Sequence, residues 1–402
     1  MKLLVIGHAF LLAYIQKKYV AMKQIDPDLQ LRLVVPSRMR DRFHHKAYEV
    51  HPALAANEVV PFKARLASFQ AHMTYLHNPA LMAALLRNFQ PDVIHLEEEP
   101  QALITVETIA LQRVFARKAA VTLFTWDNLL RRRGFPTGGG KRLLRRYALT
   151  RAATVICGNQ RAAELLRSEK YFKGTIETLP HSGLDVNEHQ PGTEPELRAK
   201  LGLEGSIVVG HVGRLVEEKG LLLLFEALGR LRAHSWKLLL VGAGTLEGEI
   251  RERWMAEFPG RIVLIPAVPY DQVPKYLRCL DIFVLASYST PTWEEQFGLT
   301  LAQAMLLGIA SIGSTSGAIP EVLGSSGLLF EEGRIGDLTE ALKSLLTSQA
   351  SRRRLGASGR EFALQHYSSE RVAARYLAAF KRAAQLPAKQ QLAGETITER
   401  KV

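Results

Sequence analysis

Short apolar runs alternate with longer amphipathic stretches along most of the chain. In the first half, KLLVIG (2–7), LRLVVP (31–36), DVIHL (92–96), VTLFTW (121–126) and TVICGN (154–159) predict strands. The stretches 79–89, 101–117 and 160–169 carry the spacing of helices. The second half repeats the scheme with SIVVGHVG (206–213), KLLLVGAG (237–244), RIVLIPA (261–267), DIFVLAS (281–287) and ASIGST (310–315). Continuous apolar runs are strands buried on both faces, and helical crossovers between them imply parallel sheets. Each half is therefore expected to be a doubly wound α/β domain, with a ligand cleft beyond the carboxyl ends of its strands. The expected division is an N-terminal domain at 1–185, a Pro-, Gly- and charge-rich linker at 186–204, and a second domain at 205–368. Beyond Gly336 the chain reads as helices, and the polar, aperiodic residues 386–402 read as a mobile tail.

Composition narrows this picture without changing it. A length of 402 residues suits two cores better than one. The 47% hydrophobic and 23% charged shares are those of a soluble globular protein. The longest apolar runs, such as GLLLLF at 220–225, are too short to span a bilayer. MKLLVIG lacks the apolar core and cleavage site of a signal peptide and reads as a first strand. The two isolated cysteines, Cys157 and Cys279, read as small core residues in a reducing cytoplasm, and no Cys/His cluster has metal-ligand spacing.

Charge adds a candidate partner. Of the net +13, the stretch from Arg113 to Lys173 carries fifteen Lys/Arg against three Asp/Glu, a surplus of 12. Such a surplus attracts a nucleotide, a nucleic acid or an anionic membrane face, or is a solvated surface. No nucleic-acid module accompanies it. GKRLLRRYALTRAA (140–153) has the makings of a basic amphipathic helix, whose Leu143, Leu144 and Tyr147 face either a membrane or the core.

The candidate chemistry collects after the strands. In GHVGRLVEEKG (210–220), Gly210 and Gly213 permit a tight turn, and Arg214 and Lys219 set two cations near a helix start. Backbone amides, helix dipole and cations together suit a diphosphate. The alternative is a Gly turn with two surface cations. Gly242 and Gly244 in VGAG allow close ligand approach, and Val268 with Tyr270 could meet a flat base or simply lead into a helix. In TWEEQFGLTLAQAM (292–305), Glu295 can accept from hydroxyls, while the amides of Phe297, Gly298 and Leu299 open a helix toward an anion or a sugar oxygen. Gln303 lies eight residues beyond Glu295 and offers both a donor and an acceptor. The alternative is a capped helix with a polar face. SGAIPEVLG (316–324) adds a second Gly-Pro turn, and LEEEP (96–100) puts Glu97, Glu98 and Glu99 just past a strand, to bind acceptor hydroxyls or to lie in solvent.

In their order, GRLVEEKG, VGAG, EEQFGLTLAQAM and GAIPEVLGSSGLLF resemble the C-terminal half of glycosyltransferase family 4. DVIHLEEEP, FTWDNLLRRRGFP and CGNQRAAELLRSEKY resemble the N-terminal half of one branch of it, so the likeness covers residues 1–385. The resemblance implies a GT-B fold of two Rossmann-like domains facing a cleft, with helix 369–385 crossing back to complete the first. It implies retaining, metal-independent transfer from a nucleotide-diphospho sugar, with no cofactor. Arg214 and Lys219 would hold the diphosphate, Glu295 the sugar hydroxyls, and Gln303, in place of the second Glu of the E-x7-E pattern, the ribose.

Two departures stand out. GHAF offers Gly7 followed by His8 where the family commonly has two glycines near the donor phosphates. Thr125, Trp126, Asp127 and Asn128 stand where many members place a His near the reacting sugar. His8, Glu98, Glu99, Trp126, Asp127 and Asn128 are therefore acceptor-side candidates. The acceptor would be a glycan, a lipid-linked molecule or a small molecule, and the location cytoplasmic, with possible peripheral contact at the inner membrane face. The rival readings are a sugar phosphorylase or nucleotide-sugar epimerase on the same fold, or a non-catalytic nucleotide-sugar binder.

Overall fold

The computed structural model describes residues 1–40, 45–65, 74–129 and 137–386, so the expected tail at 387–402 lies outside the described residues. The chain divides into two units, 1–183 with 369–402, and 184–368.

The first unit is built on seven parallel strands: β1 (Lys2–Ile6), β2 (Gln30–Pro36), β3 (Val59–Phe62), β4 (Val93–Leu96), β5 (Ala120–Thr125), β6 (Thr154–Cys157) and β7 (Thr175–Thr178). Their order is β3-β2-β1-β4-β5-β6-β7. Successive residues of β1 serve opposite faces: Leu4 and Ile6 join one apolar cluster, Leu3 and Val5 the other. That is why the run is apolar throughout instead of alternating. Helices α1 (Ala13–Ile25), α2 (Pro79–Phe89), α3 (Leu103–Phe115), α4 (Thr137–Leu149) and α5 (Gln160–Arg167) make the crossovers. A short antiparallel ladder pairs Arg38–Arg40 with His45–Ala47.

The last described helix, Ser369–Gln385, belongs to this unit and not to its sequence neighbours. Val372, Ala373, Tyr376, Leu377 and Phe380 fill the cluster that holds Leu3, Val5, Tyr19 and Met22. On α4, Ala148 and Leu149 are buried, but Leu143 is 68% exposed among Lys141, Arg142 and Arg146.

The second unit has six parallel strands: β8 (Ile207–Val212), β9 (Trp236–Val241), β10 (Ile262–Ile265), β11 (Ile282–Leu285), β12 (Ala310–Ser314) and β13 (Leu328–Phe330). Their order is β10-β9-β8-β11-β12-β13. Residues 186–204 fall inside this unit, and Pro195–Lys200 is helical. Both cysteines are buried thiols outside any disulfide.

Each sheet reverses its direction of growth once, between β1 and β4 in the first unit and between β8 and β11 in the second. A crevice opens beyond the carboxyl ends of the strands at such a reversal, and ligands of open α/β sheets bind there. The residues that follow these four strands therefore lie at the two crevices.

Candidate active site

In the second unit the turn after β8 lies against the turn after β9. Gly213 donates its N–H to the Val241 carbonyl at 2.9 Å, and Gly242 donates to Ile265 at 3.0 Å. A Cβ at position 242, where φ is 152°, would stand 1.8 Å from the Gly213 oxygen. Glycine is needed there so that two backbone turns can touch. The first use of VGAG is thus to seat one turn on another, and Gly244 is crowded by the Leu215 oxygen in the same way.

Beyond Gly213, Arg214 is largely exposed and lies 3.5 Å from Glu218. Lys219 ends a short 3-10 turn (Glu217–Lys219), and Gly220 follows in the left-handed region at φ 69°. A Cβ on Gly220 would meet the Ala286 oxygen at 1.8 Å, so the lysine turn is held close to the end of β11. Lys219 Nζ donates to Glu295 Oε2 at 2.6 Å and sits 4.9 Å from the centre of the Trp293 ring. Ser287, two residues past β11, donates to the same carboxylate oxygen at 2.9 Å. The Lys219 and Glu295 side chains are 13% and 8% exposed, so each would leave the other an uncompensated charge if removed.

The backbone of Glu295 is clamped as well. Its carbonyl accepts from Ala318 N–H at 2.9 Å, and a Cβ on Gly317 would fall 2.1 Å from that oxygen. SGAIPEV therefore supports the glutamate. Gly298, at φ 82°, precedes the eight-residue helix α9 (Leu299–Leu306, counting the helices Pro195–Lys200, Leu221–Gly229 and Val273–Leu277 as α6–α8). Phe297 and Leu299 are half-buried at its start, and Val268 is half-buried after β10.

Gln303 stands apart from the Lys219–Glu295–Ser287 group. It is 1% exposed, and its Nε2 lies 3.0 Å from His189 Nε2. His189 Nδ1 is 2.8 Å from the Asp185 carbonyl, which only accepts, so the ring proton sits on Nδ1 and Nε2 accepts from the Gln303 amide. The amide is thus used in an internal bond that a carboxylate could not make to this neutral ring. Beneath Gly213, His211 is buried with Nδ1 3.3 Å from the Val284 carbonyl. Burial first, and then the Lys219 cation, push its pKa down to about 4, so it adds no charge to the site at neutral pH.

The carboxyl edge of the first sheet resolves the three consecutive glutamates. None is a solvated acid. Glu97 is buried and pairs with Lys18, with the Tyr19 hydroxyl and, at 2.6 Å, with His181 Nε2. Burial opposes its ionisation, but Lys18 and His181 outweigh that and hold the carboxyl well below the usual range. Glu98 binds His8, at 2.6 Å to Nδ1 and 2.7 Å to the main-chain N–H, and takes the Tyr75 hydroxyl. Glu99 accepts from Thr125 Oγ1 at 2.7 Å and Trp126 N–H at 2.9 Å, and burial raises its pKa to about 6.

The structure brings several of the acceptor-side candidates into contact. Gly7, the donor-side candidate of this unit, lies against Glu97. Trp126 packs over Gly158, where a Cβ would come within 2.2 Å of its ring. Asp127 lies 3.8 Å from Arg145, and Asn128 is buried. Sequence reasoning missed Ser287, Trp293, His189, Lys18 and His181. Ser287 closes the apolar run DIFVLAS at a strand end, which is a usable signal; the others meet their partners only through the fold. Among the described residues no group of three or more His, Cys, Asp or Glu is placed to hold a metal, and no helix is long and apolar enough to cross a membrane.

Residues 193–362, which hold the whole Lys219–Glu295 group, match the family model described as Glycosyl transferases group 1. In this segment the chain is similar to the group 1 glycosyl transferases. Curated relatives include the 2-deoxystreptamine glucosyltransferase of Streptomyces kanamyceticus, 26% identical over 59% of this chain and 62% of that protein. The 2-deoxystreptamine N-acetyl-D-glucosaminyltransferase of Streptomyces fradiae is 27% identical over 71% and 72%. A GDP-mannose-dependent phosphatidylinositol monomannoside mannosyltransferase of Corynebacterium glutamicum is 30% identical over 49% and 53%. The chain thus spans about half to about three quarters of the length of these relatives.

Among solved structures, sucrose-phosphate synthase of Thermosynechococcus elongatus aligns with a TM-score of 0.69 over 95% of this chain and 98% of that one. HepE of Anabaena, solved with UDP, aligns with a TM-score of 0.71 over 95% and 100%. Both are 17% identical and carry the fold alone: two Rossmann-like parallel-sheet domains of the GT-B kind.

Proposed function

We propose that the chain transfers a sugar, with retention at the anomeric carbon and without a metal, from a nucleotide-diphospho donor to a hydroxyl of a glycan, lipid-linked or small-molecule acceptor. The observation that carries this is the Lys219–Glu295–Ser287 group at the switch point of the second sheet, in the segment similar to the group 1 glycosyl transferases. Charge builds on the diphosphate oxygen as the sugar leaves, so fixed cations and amides there stabilise the transition state more than the ground state. Arg214 and Lys219 take that role, and Glu295 receives the sugar hydroxyls. Gly213 and Gly242, with Phe297, Gly298 and Leu299, offer backbone to the donor.

A carboxylate held by Lys219 and Ser287 is oriented and largely dehydrated before any ligand arrives, which favours a ligand that donates from a hydroxyl. The relatives' names support sugar donors and acceptors of several kinds, from 2-deoxystreptamine to a phosphatidylinositol mannoside, and HepE has been solved with UDP and glucose. The exposed Leu143 among Lys141, Arg142 and Arg146 supports peripheral contact of α4 with an anionic membrane. Sedimentation with phosphatidylglycerol vesicles, lost on Leu143→Asp, tests that contact.

The test of the main reading is donor consumption. Lys219→Ala and Glu295→Gln should each lower sugar transfer by about 100-fold or more, the scale of one lost transition-state contact. Unchanged turnover in both would sink the assignment. A non-catalytic nucleotide-sugar binder is the second reading. It is favoured by Gln303, whose amide is spent on His189, and the outcome that selects it is donor binding without turnover on a broad acceptor panel.

A further inference from the structure

The loop after β11, residues 288–293, lies wholly in the second unit and is tied down at several points. Tyr288 donates its N–H to the Glu218 carbonyl at 3.0 Å, which fastens the loop to the turn that ends in Lys219. Ser289 donates to Glu332 Oε2 twice, from its N–H at 2.8 Å and from its hydroxyl at 2.9 Å. Thr290 and Trp293 exchange main-chain hydrogen bonds, at 2.8 and 3.3 Å, around Pro291 and Thr292. Proline suits that turn because its φ is already set for the position. The half-buried Trp293 is thereby held with its indole face toward Lys219, whose Nζ is 4.9 Å from the ring centre. A cation within about 6 Å of an aromatic centroid is attracted by the ring face. The anchors are backbone groups and short side chains, so the contact does not depend on two long side chains finding each other.

We propose that Trp293 is a positioning residue for the sugar donor and acts through Lys219, its indole face steadying the ammonium that the donor diphosphate meets. The proposal rests on the glycosyltransferase reading above, in which Lys219 holds that diphosphate. An ammonium has three N–H donors and no acceptor. Among the described residues, Lys219 gives a hydrogen bond to Glu295. A carboxylate alone would draw the ammonium to itself and compete with the diphosphate for it. The ring face attracts the same charge without accepting a directed hydrogen bond, so it fixes the cation and leaves N–H groups for phosphate oxygens. With the Lys219 side chain 13% exposed, little water weakens this attraction. A cation so fixed needs no rearrangement as charge builds on the leaving diphosphate oxygen.

An indole beside a sugar site has two other uses, and each leaves a different signature. A ring that touches the ligand itself contributes to affinity whether or not Lys219 is present. A ring that only packs the loop changes stability and leaves affinity alone. A ring that works through the ammonium loses its effect on affinity once the ammonium is gone. A double-mutant cycle between positions 219 and 293 separates the three.

The experiment is calorimetric titration of the full chain with the best binder among UDP-, GDP-, ADP- and TDP-sugars and with the corresponding nucleoside diphosphate. Trp293→Leu should weaken both by about 5- to 30-fold, the value of a cation held on a ring face away from water. Trp293→Met, which fills similar space without a ring, should do the same, and Trp293→Phe, which restores a ring face, should come within about threefold of the parent. In a Lys219→Met background, Trp293→Leu should cost less than about a further twofold. Melting temperatures establish which variants are folded, and the leucine and methionine variants stand in for each other. An equal loss with and without Lys219 would overturn the proposal and make Trp293 a ligand contact. Unchanged affinity in Trp293→Leu or Trp293→Met would overturn it too and leave the ring a packing residue. If the unaltered protein binds no sugar nucleotide, the glycosyltransferase reading fails and this inference with it, whereas binding that is indifferent to Trp293 removes the inference alone.

Discussion

Replacing Gln303 by Glu restores the acid that the E-x7-E pattern carries, and on ligand grounds alone it should be benign. The internal bond says otherwise. Gln303 is 1% exposed and His189 is fully buried, and the neutral ring accepts from the amide because its proton is held at Nδ1 by Asp185. A carboxylate at 303 would face that lone pair with another. Either the bond is lost and a charge is buried without a donor, at a cost of about 3–5 kcal/mol, or one proton is taken up so that His189 or the new acid can donate. Proton uptake by His189 means a folded pKa above the unfolded value of about 6.5. Its stabilisation is then fully present below that value and is lost as pH rises through the folded pKa. A proton on the new carboxyl gives the same sign.

Gln303→Glu should therefore melt close to the parent at pH 5.5 and well below it at pH 8.5. For a unit of this size about 1 kcal/mol corresponds to about 2–4 °C, so the deficit at pH 8.5 is about 6–20 °C. Gln303→Leu loses only a neutral bond and strands the His189 acceptor, costing about 1–3 kcal/mol, without that pH slope. Calorimetric scans at three pH values read both. Equal stability of Gln303→Glu and the parent at pH 8.5, or a stability that rises with pH relative to the parent, would refute the assigned tautomer and the bond built on it.

His211 makes a prediction of opposite sign. A base held at about 4 when folded and about 6.5 when unfolded contributes stability that is present above 6.5 and lost as pH falls toward 4. The full loss is about 3 kcal/mol, and His211→Phe should flatten the acid limb of a stability profile; an unchanged limb would contradict it. Gly242→Ala should destabilise the second unit by several °C, because its Cβ would overlap the Gly213 oxygen, and chemical denaturation with and without a bound donor reads the loss. Ser287→Ala leaves Glu295 its lysine but removes one donor, so it should weaken transfer by about tenfold, less than Lys219→Ala does, as rate assays would show.

The sheets were legible because burial on both faces leaves a continuous apolar run, and LLVI or KLLLV admits few other readings. The switch points follow from strand order, which the alternating pattern does not contain. Lys219 and Glu295 were legible as chemistry, a cation and an acid after strands, but their 2.6 Å contact joins residues 76 apart in the chain. LEEEP shows what local reading misses. Three adjacent acids suggest solvent or a ligand, yet each is claimed by a different distant partner: Lys18 and His181, His8 and Tyr75, Thr125 and Trp126. Gln303 shows the same limit. An amide in place of an acid is visible in the chain, but its partner lies 114 residues earlier, and only the tautomer of that partner explains why an amide is required.

The account turns on Lys219 and Glu295 forming a donor site, and calorimetric titration of the full chain with UDP-, GDP-, ADP- and TDP-sugars tests it most directly. It predicts that at least one sugar nucleotide binds and raises the melting temperature, that Lys219→Ala weakens that binding by at least tenfold, and that Glu295→Gln weakens binding of the sugar nucleotide more than that of the bare nucleoside diphosphate. Binding that is indifferent to both substitutions, or no binding by any of the four, would contradict it.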